Sequence, residues 1–123
     1  MAKILIVDDA QTFRMELRSH LQKGGVHHVE EAGDGQQGLD VLSKNKDIQL
    51  IISDKNMPVM DGFEMCKLIK ENPEFEKMPI IMLTTESSQD MKVKGKEIGI
   101  TYWLTKPYNA DRLLLVIDKI IAK

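Results

Sequence analysis

Six side chains able to do phosphate or metal chemistry stand at the ends of short apolar runs in this chain of 123 residues. Asp8-Asp9 follows Ile4-Leu5-Ile6-Val7, Asp54 follows Leu50-Ile51-Ile52-Ser53, Thr84-Thr85 follows Ile80-Ile81-Met82-Leu83, and Lys106-Pro107 follows Tyr102-Trp103-Leu104-Thr105. Taken singly, an aspartate after an apolar run caps a helix or solvates a turn. Brought together, three carboxylates repel one another unless a cation neutralises them. A hard cation with oxygen ligands meets that need, and Mg²⁺ suits a site that gives it one or two carboxylates and leaves positions for water and phosphate. Lys106 adds a positive point charge and Thr84 a hydroxyl donor, both suited to the outer oxygens of a phosphoryl group. An aspartate can itself attack phosphorus and form an acyl phosphate.

The rest of the composition narrows the field. No Gly-x-x-x-x-Gly-Lys loop is present, so direct use of ATP through such a loop is not indicated. Cys66 is the only cysteine, which excludes an internal disulfide and a thiolate metal cluster. His27 and His28 are adjacent, and on a strand they point to opposite faces and cannot readily chelate one ion. Lys and Arg total 17 against 19 Asp and Glu, a formal net charge of -2, so no basic field draws the chain to nucleic acid or anionic lipid. The apolar runs are too short for a signal peptide or a membrane span, and the expected location is cytoplasmic.

For the four groups to meet, the segments between them must fold as alternating strands and helices around a parallel sheet, whose ligands bind beyond the carboxyl ends of the strands. Strands are expected at Ile4–Val7, His28–Glu31, Leu50–Ser53, Ile80–Leu83 and Thr101–Leu104. The first, third and fourth are almost purely aliphatic, as strands covered on both faces should be. Phe13, Leu17 and Leu21 recur at helical spacing, and Leu113, Leu114, Ile117, Ile120 and Ile121 form a similar stripe. Asp34 with Gln37, Asp61 with Glu64 and Ser87 with Asp90 read as helix starts. Gly24-Gly25, Asn72-Pro73 and Gly99 read as stops. The fourth helix, Ser87 to Ile98, carries Lys92, Lys94, Lys96 and Glu97, and Gly95 weakens it by about 1 kcal/mol relative to alanine. It should be exposed and comparatively mobile. One domain over residues 1–123 is expected.

As an ordered set, Ile6-Val7-Asp8-Asp9, Val29-Glu30-Glu31-Ala32-Gly33-Asp34-Gly35, Ser53-Asp54-Lys55-Asn56-Met57-Pro58 with Asp61-Gly62, Leu83-Thr84-Thr85-Glu86 and Lys106-Pro107 is specific. The chain resembles the receiver domain of bacterial two-component response regulators, and among them the single-domain, CheY-like chemotaxis regulators. The resemblance implies a flavodoxin-like (βα)5 fold, doubly wound, with strand order 2-1-3-4-5 and helices on both faces. It also implies that Asp54 accepts a phosphoryl group from a CheA-like histidine kinase. Asp9, Asp54 and the Asn56 backbone carbonyl would ligate Mg²⁺ directly, with Asp8 acting through water. Lys106 would contact the phosphoryl group, Thr84 would turn toward it, and a cis peptide would precede Pro107. Asn56, Thr85 and Glu86 occupy positions that tune access and dephosphorylation. The implied protein is a monomer that catalyses only its own phosphorylation and dephosphorylation. Its output surface is the fourth helix, fifth strand and last helix, facing a flagellar motor switch component, with a phosphatase as a further partner.

Two residues depart from the pattern. Where relatives place Tyr or Phe three residues before the lysine, this chain has Trp103, with Tyr102 one place earlier; an indole is larger than a phenol. Trp103 is read either as the moving aromatic of the switch or as a cover for the sheet edge. Thr85 is bulkier than the small residue common there and narrows the approach to Asp54. Alternatives are a phosphorelay intermediate, a haloacid dehalogenase-type phosphatase, which places its nucleophile in an Asp-x-Asp motif that Asp8-Asp9-Ala10 does not provide, and a flavodoxin-like electron carrier, disfavoured by acids in the first turn.

Overall fold

The computed structural model describes residues 2–121. Strands and helices alternate without exception: β1 (Lys3–Val7), α1 (Gln11–Lys23), β2 (His28–Ala32), α2 (Gly35–Lys44), β3 (Leu50–Ser53), α3 (Gly62–Glu71), β4 (Ile80–Thr84), α4 (Gln89–Ile98), β5 (Tyr102–Thr105) and α5 (Ala110–Ile121). All strand pairs are parallel, in the order β2-β1-β3-β4-β5. This is the doubly wound, flavodoxin-like arrangement, and the five expected strands all form, with boundaries shifted by at most one residue. Among the described residues, no helix is long and apolar enough to cross a membrane.

The alternation of side chains along each strand divides the interior into two cores. Leu5 and Val7 of β1, Ile51 of β3 and Ile80 and Met82 of β4 face Leu42 of α2 and Phe63, Met65, Cys66 and Ile69 of α3. Ile4, Ile6, Leu50, Ile52, Ile81 and Leu83 face the other way, onto Leu17 and Leu21 of α1 and Leu113, Val116 and Ile117 of α5. Three central strands buried on both sides need aliphatic residues at successive positions, which is why their runs lack the polar alternation of a one-sided sheet.

Most helix ends follow the residues that signal them. Asp34 accepts from Gln37 N and Asp61 from Glu64 N, both at 2.9 Å. Gly24, Asn72 and Gly99 cap the carboxyl ends of α1, α3 and α4. The start of α4 is one residue later than the sequence suggests. Ser88, not Ser87, is the cap, accepting from Met91 N at 3.2 Å. In the preceding loop the Glu86 carbonyl accepts from the Trp103 indole. As expected, α4 is largely exposed, though Gly95 is buried and Met91 and Ile98 pack on the core.

Cys66 lies within the α3 core with no exposed surface. Burial pushes its thiol up to about 12, with Lys70 opposing and Asp61 adding to the shift. The thiolate is the reactive form. Native protein at pH 8 should therefore react with Ellman's reagent only as fast as the domain opens, and urea should release the full reaction; prompt labelling of native protein would contradict this packing.

Candidate functional site

The acids meet because of the strand order. β1 lies beside β3 with Val7 opposite Ser53, so the residues that follow, Asp8 and Asp54, emerge side by side at the carboxyl edge. Two backbone bonds extend the ladders past their last residues: Asp54 N donates to Val7 O at 2.9 Å and Asp8 N to Ala32 O at 3.0 Å. Among the described residues, Asp8, Asp9 and Asp54 form a group whose carboxylate oxygens lie within 4.8 Å of one another. Asp8 is buried, Asp54 half-buried and Asp9 exposed.

Lys106 arrives from the far side of the sheet. It follows β5, and its N–H donates to Thr84 O at 2.9 Å, which fixes its backbone beside the end of β4. The ammonium then donates to Asp8 Oδ2 at 2.8 Å and to Asp54 Oδ2 at 3.1 Å. Burial alone would lower the Lys106 pKa, but the two carboxylates reverse this and hold it above its ordinary value. The ring of Phe13 lies 4.0 Å from the ammonium, and Tyr108 braces that ring edge-on at 5.8 Å. The peptide between Lys106 and Pro107 is cis.

The remaining carboxylate oxygens are directed by the backbone. Asp8 Oδ1 accepts from Ala10 N at 2.9 Å and Asp54 Oδ1 from Lys55 N at 2.7 Å. After Asp54 the chain loops outward and returns, with Gly62 N donating to Lys55 O at 2.7 Å. A Cβ at Gly62 would come within 2.2 Å of the Asp54 carbonyl, so this return admits only glycine. Asn56 is exposed on the loop, and Val59 adopts a left-handed conformation at φ 67° while almost fully exposed.

Thr84 and Trp103 are joined through one residue. Thr84 is fully buried, and its hydroxyl oxygen accepts from Glu86 N at 3.4 Å. The Glu86 carbonyl accepts from Trp103 Nε1 at 2.8 Å. Trp103 does more than cover the sheet edge. Its indole meets Phe63 edge-on at 5.9 Å and lies beneath α4, where a Cβ on Gly95 would stand 2.9 Å from Cζ3. The glycine that weakens α4 is thus the one that leaves room for a tryptophan. Thr85 is exposed on the rim of an apolar recess shared with Phe13, Tyr108 and Lys106.

Every residue singled out from the sequence falls on this edge of the sheet or on the loops and β5 residues directly connected to it. Phe13 and Gly62 were missed as site residues. Phe13 looks like one more position of the α1 stripe, and only its distance to Lys106 reveals a second task. Gly62 follows a capping aspartate and carries no side chain to announce a role.

The donors gathered here are hard oxygens from three carboxylates, with one ammonium against them. That set fits Mg²⁺ and offers nothing to a thiophilic metal.

Comparison with known proteins agrees with this geometry. The family model described as response regulator receiver domain matches residues 4–118. A chemotaxis protein CheY homolog from Campylobacter jejuni is 36% identical over 111 residues, 90% of this chain and 85% of that one. The solved structure of chemotaxis protein CheY4 from Vibrio cholerae superposes with a TM-score of 0.91 at 42% identity, covering 98% of this chain and 99% of that one. The signal receiver domain of a histidine kinase from Syntrophus aciditrophicus gives a TM-score of 0.90 at 31% identity, covering 99% and 91%.

Two substitutions test the local strain. On a solvated helix Gly95→Ala should gain about 1 kcal/mol; against the indole it should instead cost about 1–3 kcal/mol through overpacking and shift Trp103 emission, as read by urea denaturation and fluorescence. Val59→Asn should stabilise by about 1 kcal/mol in the same assay, because asparagine tolerates the left-handed region better than a β-branched residue.

Proposed function

The chain belongs to the response regulator receiver domain family, and from that membership we propose that it is a phosphorylation switch whose acceptor is Asp54 and whose donor is a phosphohistidine of a partner kinase. The observation that carries the reading is Lys106 bridging Asp8 and Asp54, with Asp9 completing the acid group. Asp54 is the better nucleophile of the bridged pair. Its side chain keeps 12% of its surface against 2% for Asp8, and Asp8 is enclosed between Lys106 and the Ala10 N–H. This also argues against a phosphatase that uses the acid after the first strand.

In the proposed transfer an Asp54 carboxylate oxygen attacks phosphorus. The P–N bond to the donor imidazole breaks, the electron pair leaves with the ring nitrogen, and that nitrogen takes a proton from water. Asp8, Asp9, Asp54 and the Asn56 carbonyl would hold Mg²⁺, which when bound offsets the negative charge of the incoming phosphoryl group. Lys106 is positioned to follow the charge, since its ammonium already contacts the oxygen beside the reacting one. Once a phosphoryl oxygen lies near Thr84, the hydroxyl has a stronger acceptor than its long contact with Glu86 N offers. Exposed Thr85 and Asn56 flank the approach and are suited to setting how fast water and donors reach Asp54.

The output reading places the partner surface on α4, β5 and α5, where Lys92, Lys96 and Arg112 surround the Trp103 side of the sheet. Several relatives are named as chemotaxis proteins, which supports a target in chemotaxis such as a motor switch component.

Incubation with acetyl phosphate and Mg²⁺, followed by mass spectrometry, should give a phosphoryl adduct on the wild type and none on Asp54→Asn. Beryllofluoride with Mg²⁺ should change Trp103 emission in the wild type alone. Absence of a Mg²⁺-dependent wild-type adduct, or its persistence in Asp54→Asn, would sink the reading.

A further inference from the structure

Arg14 lies near the start of α1 with 17% of its side chain exposed, and its guanidinium is committed at two points. Nη1 donates to the Asp8 backbone carbonyl at 2.5 Å, and Nε donates to Glu31 Oε1 at 3.0 Å. The second oxygen of Glu31 accepts from Arg18 Nη1 at 2.5 Å. Burial by itself would raise the Glu31 pKa, but the hydrogen bonds from Arg18 and Arg14 more than reverse that and hold it below the ordinary value. Glu31 is therefore an ionised anchor at the end of β2, between two guanidinium groups.

The carbonyl that Arg14 grips belongs to the peptide joining Asp8 to Asp9. The Asp8 side chain is fixed independently, by Lys106 and by Ala10 N. Asp9 is exposed, so its direction is set chiefly by the backbone from which it hangs. A planar peptide held at its oxygen cannot rotate about its flanking bonds without breaking that contact.

We propose that Arg14 is a positioning residue for the cation site: anchored by Glu31, it fixes the Asp8–Asp9 peptide and so aims the Asp9 carboxylate toward Asp8 and Asp54. The inference rests on the reading that these acids hold Mg²⁺. It makes a counter-intuitive demand. Arg14 carries positive charge near a cation site, so on charge alone its removal should tighten Mg²⁺ binding. As a positioning residue its removal should weaken binding, by about 10-fold at the lower end of the effect of such supporting residues.

The sign decides. Calorimetric titration of Mg²⁺ into unphosphorylated wild type, Arg14→Met, Arg14→Lys and Glu31→Gln, with urea midpoints for each, should give roughly 10-fold weaker binding for Arg14→Met. Arg14→Lys, which restores charge but not the planar fork, should remain weak. Glu31→Gln should also weaken binding, and it carries the test if Arg14→Met does not fold. Affinity unchanged or tighter in folded Arg14→Met, with only the urea midpoint lowered, would overturn the positioning role while leaving the cation site intact. If the wild type takes up no Mg²⁺, the cation reading itself falls, and this inference with it.

Discussion

Repulsion among three carboxylates at one edge of the sheet is the constraint around which the rest of the structure is arranged. Nothing apolar can bring Asp8, Asp9 and Asp54 within 4.8 Å of one another; the strand register does so, and Lys106 makes it tolerable. Removing charged groups from water costs several kcal/mol each unless partners replace the lost hydration. Asp8 is compensated on both oxygens, by the ammonium and by a backbone N–H, and Asp54 in the same way. One ammonium against three carboxylates still leaves an excess of negative charge, so the site is stable yet receptive to a further cation.

Reaching that site is a matter of lengths. Neighbouring strands are about 4.8 Å apart, so β5 and β1, with β4 and β3 between them, are separated by about 14 Å. A lysine that begins just past β5, its N–H held by Thr84 O at the end of β4, meets the aspartates that follow β3 and β1 on the same edge. No shorter cation would span the gap. The bracing of the ammonium by Phe13 then depends on α1 packing on the face shared with α5, which brings Tyr108 against the same ring.

The path away from Asp54 is weaker and correspondingly adjustable. Thr84, the Glu86 peptide and Trp103 are linked by two hydrogen bonds, each worth about 1 kcal/mol net. Moving a two-state equilibrium from one extreme to the other takes about 5.5 kcal/mol, so those bonds alone could not drive the proposed switch. The larger share must come from charge at Asp54 and Lys106, with the Thr84 and Trp103 contacts selecting which backbone arrangement benefits. The close fit of the indole against Gly95 and Phe63 makes that selection steep, because a packed interior does not deform gradually.

The sequence by itself determined the five strands, the two-sided burial, most of the caps and which side chains are candidates for the site, since each depends on residue type within a few positions along the chain. Asp34 and Asp61 cap helices through neighbours three residues away, and the aliphatic runs of β1, β3 and β4 need no distant partner to be recognised as buried strands. Only the tertiary structure decided the rest. A tryptophan 17 residues past Glu86 takes the carbonyl of that residue in the loop before α4. Gly95 proved to be a space for that tryptophan rather than a mere flaw in a helix. Arg14 holds the Asp8–Asp9 peptide because Glu31, on a neighbouring strand, turns it there. In each case the deciding contact joins residues whose separation along the chain carries no periodic signal, and their distance is set by how the sheet stacks its strands.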